Sequence, residues 1–226
     1  MGEKLFQTRT VPSNQQVVDS RLKPTAEMHI LIGGPYTLAG EEHRYGHTAL
    51  RIKVGGVDVT YDFGRYGETR GLFGEAGDGI LRVWSDFNAY IGAENRLGRK
   101  TIGFVYSLFE HQAKASIAFF DQLILAGKPL PHKNRANLKV CKLVNDYHAL
   151  GPNCTTLSVD GARAALPAID RNAEKFIKPE AVLSNSERFA LAAKGGANRL
   201  FLPVNLQSLL ASGSPVKAIR VDQHGG

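Results

Sequence analysis

Apolar and polar positions divide the chain into a strand-rich first half and a helix-rich second half. Residues 1–25 are polar and contain Pro12 and Pro24, which predicts an N-terminal arm ahead of one domain over residues 26–226. "EMHILIGGPYTLAG" holds a short apolar strand, Met28 to Ile32, closed by Gly33-Gly34-Pro35. In "GHTALRIKVGGVDVTYDFG" two runs rich in β-branched residues flank Gly55-Gly56, the pattern of a tight hairpin. "ILRVWSD" and "KTIGFVYSL" read as further strands. Ahead of them, "GRYGETRGLFGEAGDG" is dense in glycine and lacks the GK[ST] ending of a phosphate loop, so it is expected to be a mobile surface loop.

The period then changes. "EHQAKASIAFFDQLILAG" has apolar residues at helical spacing and stops at Gly127, with Pro129 just beyond, a helix of about four turns. "NLKVCKLVNDYHAL" fits a strand or a helix. "NCTTLSVDGARAAL" puts Leu157, Gly161, Ala164 and Ala165 on one face of a short helix that ends before Pro167. A helix around "SERFALAAKG" follows, and Pro203 in "RLFLPVNLQSLLAS" permits a switch from strand to helix. No internal repeat is visible.

The hairpin pattern also fixes a register. If Gly55-Gly56 form a two-residue turn, Val54 pairs with Val57, Ala49 faces Asp62 and His47 faces Gly64. Asp62 then shares a sheet face with His47, one diagonal step away. A bulge would reverse the face and bring Tyr61 round instead.

Composition narrows the function classes. With 43% apolar and 22% charged residues over 226 positions, the chain has the make-up of an ordinary globular protein with one sizeable core. No apolar run reaches the roughly 18 residues of a membrane span, and "MGEKLFQTRTVPSNQQ" has neither a secretory core nor a myristoylation pattern. Synthesis in the cytoplasm without a signal peptide is the expectation. The excess of 28 Lys and Arg over 21 Asp and Glu, a net +7, favours anionic partners. These cations are scattered without basic runs or aromatic interleaving, so no nucleic acid partner is expected. A disulfide between the two cysteines, Cys141 and Cys154, is permitted, but neither lies in a CxxC.

The two cysteines sit in different settings. Cys141 lies among Val140, Leu143 and Val144, as a small core residue does. Cys154 follows Pro152, which discourages helix before it, and Asn153, a favoured N-cap, and is followed by Thr155-Thr156, which keep that end polar. A thiol in the first helical turn meets unpaired N–H groups and the positive dipole end, which stabilise its thiolate. Acyl transfer by that thiolate needs an imidazole. Of seven histidines, His224 is placed in the tail and His29, His43, His111, His132 and His148 occupy unremarkable positions, whereas His47 opens the hairpin beside the expected place of Asp62. A carboxylate there orients the imidazole, the third role in a Cys-His-Asp set. The plainer reading is a structural cysteine at a helix cap with two polar residues at a sheet edge. His43 and His47 also form HxxxH, but the β-rich run after Gly46 argues against a metal helix, so no metal and no cofactor are assigned.

"GHTALRI", "YDFGRYG" and "NCTT" in this order resemble the circularly permuted papain-like enzymes, a group that includes NlpC-type cell-wall peptidases, lecithin:retinol acyltransferases and permuted deubiquitinating peptidases. Within it they look most like hydrolase effectors of bacterial type VI secretion. The resemblance spans mainly residues 28–66 and 145–166. It implies an α+β class: a permuted papain-like fold, with an antiparallel sheet and the nucleophile on a helix N-terminus packed against it. It implies Cys154 as nucleophile, His47 as base and Asp62 as orienting residue, a position where that family accepts His, Asp, Asn or Gln. The Cys154 N–H would be one oxyanion donor, with Asn153, Tyr147 or Tyr36 as the second. The function implied is a secreted antibacterial amidase or endopeptidase that acts on peptidoglycan peptide stems in the target cell periplasm. Its partners would be an immunity protein and the secretion apparatus, and a monomer is expected. A lipid- or protein-directed acyl hydrolase, and a non-catalytic binding domain with a degenerate papain-like core, are the alternatives.

Overall fold

A computed structural model describes residues 23–38, 41–71, 76–132, 136–193, 195–213 and 215–225. Most of the expected N-terminal arm therefore lies outside the described residues; Lys23 to Thr25 form an exposed coil leading into the first strand. The strands are β1 (Ala26–Gly33), β2 (Tyr36–Leu38), β3 (Glu41–His43), β4 (His47–Val54), β5 (Val57–Arg70), β6 (Ala76–Trp84), β7 (Thr101–Leu108), β8 (Lys128–Leu130), β9 (Leu138–Lys142), β10 (Tyr147–His148) and β11 (Arg220–His224). The helices are α1 (Phe87–Arg96), α2 (Glu110–Ala126), α3 (Cys154–Ala165), α4 (Asn185–Ala193) and α5 (Pro203–Ser212), with 3-10 turns at Ala173–Phe176 and Pro179–Ala181.

One antiparallel sheet runs in the order β11-β7-β1-β4-β5-β6-β9-β8, with β10 added beside β6, while β2 and β3 pair separately. The class is α+β. Alternation along the strands sorts the two faces. Met28, Ile30, Leu50, Ile52, Tyr61, Phe63, Phe104 and Tyr106 form the larger core with Phe120 of α2, Val159 and Ala162 of α3 and Leu206 of α5. Leu31, Ala49 and Trp84 occupy the other face with Tyr90 of α1. A smaller cluster of Leu183, Leu191, Phe201 and Leu202 gathers the segment around α4.

The β4–β5 ladder runs from Val54↔Val57 to Ala49↔Asp62, the register that the glycine turn predicts. Gly55 and Gly56 have φ of +54° and +82°, so both turn positions use the left-handed region open to glycine. No bulge intervenes beside Asp62; the irregularity lies between Tyr66 and Arg70.

Several expectations are corrected. The glycine-dense segment is not a plain loop, because β5 extends to Arg70 and β6 starts at Ala76, while residues 72–75 lie outside the described ones. Its glycines permit close strand approach: a Cβ on Gly77 would meet the Arg65 side chain, and one on Gly79 would meet the Asn145 carbonyl. "NLKVC" is strand, since β9 pairs with both β6 and β8. His224 lies on β11 beside β7, not in a tail.

The sequence reading places no helix at α1. Its N-cap is sound, with Asp86 accepting from the N–H groups of Asn88 and Ala89. However, its apolar stripe is short, since Phe87, Tyr90 and Ile91 are followed on the same face by Glu94. The inward face of α3 is also shifted. Thr155, Ser158, Val159, Ala162 and Ala165 are buried with Gly161, whereas Leu157 and Ala164 are half-exposed. Gly161 faces the Phe120 ring so closely that a Cβ would lie 2.4 Å from Cε2. That contact lets Phe120 stack on Tyr61, with ring centroids 3.8 Å apart.

Candidate active site

The site forms where the N-terminus of α3 meets the first residue of β4. Asn153 caps α3: its Oδ1 accepts from the Thr156 N–H at 3.1 Å, and its own N–H donates to Thr156 Oγ1 at 2.8 Å. The Asn153 amide donates in turn to the carbonyls of Ala149 and Phe201, so every polar group of that side chain is committed. Cys154 is the first residue of the helix and 3% exposed. Thr48 and Thr155, buried on facing elements, join β4 to α3 by a hydroxyl contact of 3.0 Å. Thr155 and Thr156 are thus buried and hydrogen-bonded, not a solvated polar end.

The three predicted residues come together. His47 Nε2 lies 2.7 Å from Asp62 Oδ1, and the same imidazole hydrogen-bonds the Cys154 thiol. With Nε2 committed to Asp62, the ring nitrogen left for sulfur is Nδ1. Burial alone would lower the His47 pKa, but the negative charges of Asp62 and Cys154 outweigh it and push it up to about 10. Burial works against the Cys154 thiolate as well. The His47 charge and hydrogen bond, the Thr48 N–H and the Tyr147 hydroxyl together outweigh it, and hold the thiol below its ordinary range.

Arg82 and Trp84 complete the setting of Asp62, and the sequence reading assigns neither. Arg82 is the cross-strand partner of Asp62, and its Nη2 lies 2.7 Å from Oδ2. Trp84, two residues on and therefore on the same face, lies with Asp62 and Arg82 in one cavity wall. Burial would raise the Asp62 pKa; Arg82 first, then His47, hold it well below the usual carboxylate range. The alternation in "ILRVW" pairs Arg82 with Trp84 on one face, but their position opposite Asp62 needs the β5–β6 register. The glycine-dense segment conceals that register.

Of the three candidates for a second oxyanion donor, Tyr147 is at the thiol. Its hydroxyl lies 3.8 Å from Sγ. Burial, then the charge of Cys154, raises the Tyr147 pKa well above the ordinary phenol value, so the group stays an O–H donor. Asn153 is spent on the cap, and the Tyr36 ring lies 4.4 Å from the Arg99 guanidinium.

Four of the other histidines have partners of their own. His29 is buried beside Glu27, His148 Nδ1 accepts from the Leu150 N–H, His111 lies against Phe109, and His224 packs on Phe87. The HxxxH pair starts in β3 and ends in β4, so it is not helical. Among the described residues no group of three or more His, Cys, Asp and Glu is arranged to hold a metal. Cys141 and Cys154 are both free thiols.

The approach to His47 is tied down at Glu187 on α4. That carboxylate accepts from Arg44, the Tyr45 hydroxyl and both donors of Ser184. Burial opposes its charge, yet these donors push its pKa down to about 2. Between this anchor and His47 stands Gly46, with φ +72°, where a Cβ would lie 2.6 Å from the Gly33 carbonyl oxygen. Gly46→Ala should therefore cost about 1–3 kcal/mol, a melting temperature lower by roughly 2–12 °C for a chain of this size. Calorimetry reads that loss, and alkylation of Cys154 should slow with it as His47 is displaced. An unchanged melting temperature would contradict the strain assigned to Gly46.

Two cavities flank the site. One, about 630 Å³, lies beside Asn153 and Thr156 with Phe63, Leu143, Leu150 and Phe201 in its wall. The other, about 680 Å³, reaches Asp62, Arg82 and Trp84 on the α1 face. No helix among the described residues is long and apolar enough to cross a membrane. Comparison of the chain with protein-family models, with curated proteins and with solved structures finds no match.

Proposed function

We propose that the protein is a cysteine hydrolase of permuted papain-like fold, with Cys154 as nucleophile, His47 as its acid and base, and Asp62 as the orienting carboxylate. One observation carries this reading: a single imidazole bridges a thiol at a helix N-terminus and a buried carboxylate. The Cys154 thiolate attacks the substrate carbonyl carbon, and the oxyanion forms near the Cys154 N–H and the Tyr147 hydroxyl. The protonated His47 gives its Nδ1 proton to the leaving nitrogen as the C–N bond breaks, which leaves a thioester and an amine. Water then attacks the thioester, His47 takes its proton, and the acid departs as the thiol re-forms.

The substrate proposed is the peptide stem of peptidoglycan, met in a rival cell's periplasm after export as an antibacterial effector. The motif order in the chain supports the effector class, and the net charge of +7 suits an anionic wall. Purified protein should release new amines from isolated sacculi, and Cys154→Ala should lower that rate by at least about 1000-fold. Intact sacculi after long incubation with folded protein would reject this substrate.

The 630 Å³ cavity favours one other substrate class. Its apolar wall beside the first turn of α3 suits an acyl chain, as in a lipid-directed hydrolase. Phospholipid vesicles assayed beside sacculi separate the two: release of fatty acid without release of amines would select the lipid.

A further inference from the structure

The second cavity, about 680 Å³, lies between α1 and the β5–β6–β9 part of the sheet. Its wall is largely apolar, formed by Ile80, Trp84, Leu97, Leu138 and Val140, and its polar groups are unevenly matched. Each carboxylate in the wall already has a cation: Asp62 has Arg82, Asp78 has Lys142, and Glu94 has Arg99. The cations are not all so engaged. Arg96, near the C-terminus of α1, pairs with no carboxylate among the described residues. Arg82 uses Nη2 on Asp62, while its Nε is buried and finds no acceptor among the described residues. The Arg82 side chain as a whole is 27% exposed, so it reaches the cavity by atoms other than the enclosed Nε. The Tyr66 ring, 4.9 Å from the Arg82 guanidinium, closes one side of the same wall.

We propose that this cavity binds a small carboxylate that carries an apolar body. The carboxylate meets Arg96 and the part-exposed side chain of Arg82, and the body lies against Trp84 and its aliphatic neighbours. Guanidinium groups match carboxylates in geometry as well as charge, whereas a neutral amide meets them with one acceptor and no charge. Such a site lies away from the Cys154 sulfur but shares Arg82 with Asp62.

Trp84 is the only tryptophan in the chain, so its emission reports this cavity without any turnover. The probe is 4-phenylbutyrate, titrated at neutral pH into the full chain, with 4-phenylbutanamide as the neutral match. A saturable change in Trp84 emission is expected with the acid, at least about 10-fold weaker binding with the amide, and roughly 5- to 10-fold weaker acid binding in Arg96→Gln. Arg96 is an exposed helical residue, so this variant keeps the fold. Equal affinity for acid and amide, undiminished binding in Arg96→Gln, or no saturable change up to about 20 mM acid would each overturn the proposal. Because the readout needs no catalysis, it is independent of whether Cys154 hydrolyses anything.

Discussion

At pH 6 iodoacetamide should alkylate Cys154 roughly 50-fold faster in the parent protein than in His47→Ala, after allowance for the weaker nucleophilicity of a low-pKa thiolate. An ordinary thiol, with a pKa of about 8.5, is almost wholly protonated at that pH. In the folded protein the Cys154 pKa is lowered, because the His47 charge and hydrogen bond outweigh burial, so the thiolate persists as pH falls until that lowered value is crossed. His47 has the opposite sign. Its folded pKa is raised to about 10, so the stability its proton contributes is complete below the ordinary value of about 6.5 and is lost as pH rises through about 10. The thiolate–imidazolium pair therefore occupies the window between the lowered cysteine pKa and about 10. Removing the imidazole leaves burial in command and moves the thiol upward. Cys141 is an internal reference, since burial raises its pKa and no imidazole opposes it. Cover over the buried Cys154 slows both proteins alike, so the ratio, not the absolute rate, carries the test. Equal rates in parent and variant would leave Cys154 a structural residue at a helix cap.

How much of this site can be read from the sequence depends on the range over which each residue is fixed. Cys154 is set by its immediate neighbours, since Pro152 and Asn153 determine where α3 begins. The His47–Asp62 pairing is set by a two-residue turn, because Gly55-Gly56 leave one register and that register counts back to Ala49↔Asp62. Arg82 and Trp84 depend on the β5–β6 pairing, which crosses a glycine-dense segment that reads as loop. Helix α1 is concealed for another reason. Its apolar face, Phe87, Tyr90 and Ile91, lasts about one turn before Glu94, which pairs with Arg99, interrupts it, so the helical period is too short to stand out. The face of α3 is misread by about one position because its contact stripe consists of threonine, serine, alanine and glycine, which carry little hydropathy signal. The choice of Tyr147 over Tyr36 and Asn153 likewise rests on tertiary placement.

Asp62→Ala should lose about 2–4 kcal/mol, a melting temperature lower by roughly 4–16 °C, and on the order of 10²–10⁴-fold in hydrolysis. Two mechanisms contribute, and a second change separates them. Asp62 is 1% exposed between His47 and Arg82, so its removal leaves a guanidinium without its carboxylate and an imidazolium without its partner. Arg82 is 27% exposed, and the water reaching it reduces the penalty below that of a fully enclosed pair. In Asp62→Asn/Arg82→Met the pair is replaced by groups of similar shape without charge, so stability should return to within about 1 kcal/mol of the parent. Alkylation of Cys154 at pH 6 should stay about 10-fold or more below the parent, because no carboxylate holds the imidazole charged. The reactivity defect then survives when the stability defect is removed, as an orienting role requires. If the double variant recovered both, Asp62 would be a partner of Arg82 in the sheet and nothing more. If Asp62→Asn alone left the pH profile of Cys154 unchanged, the imidazole would hold its place and charge through α3 and the Glu187 anchor.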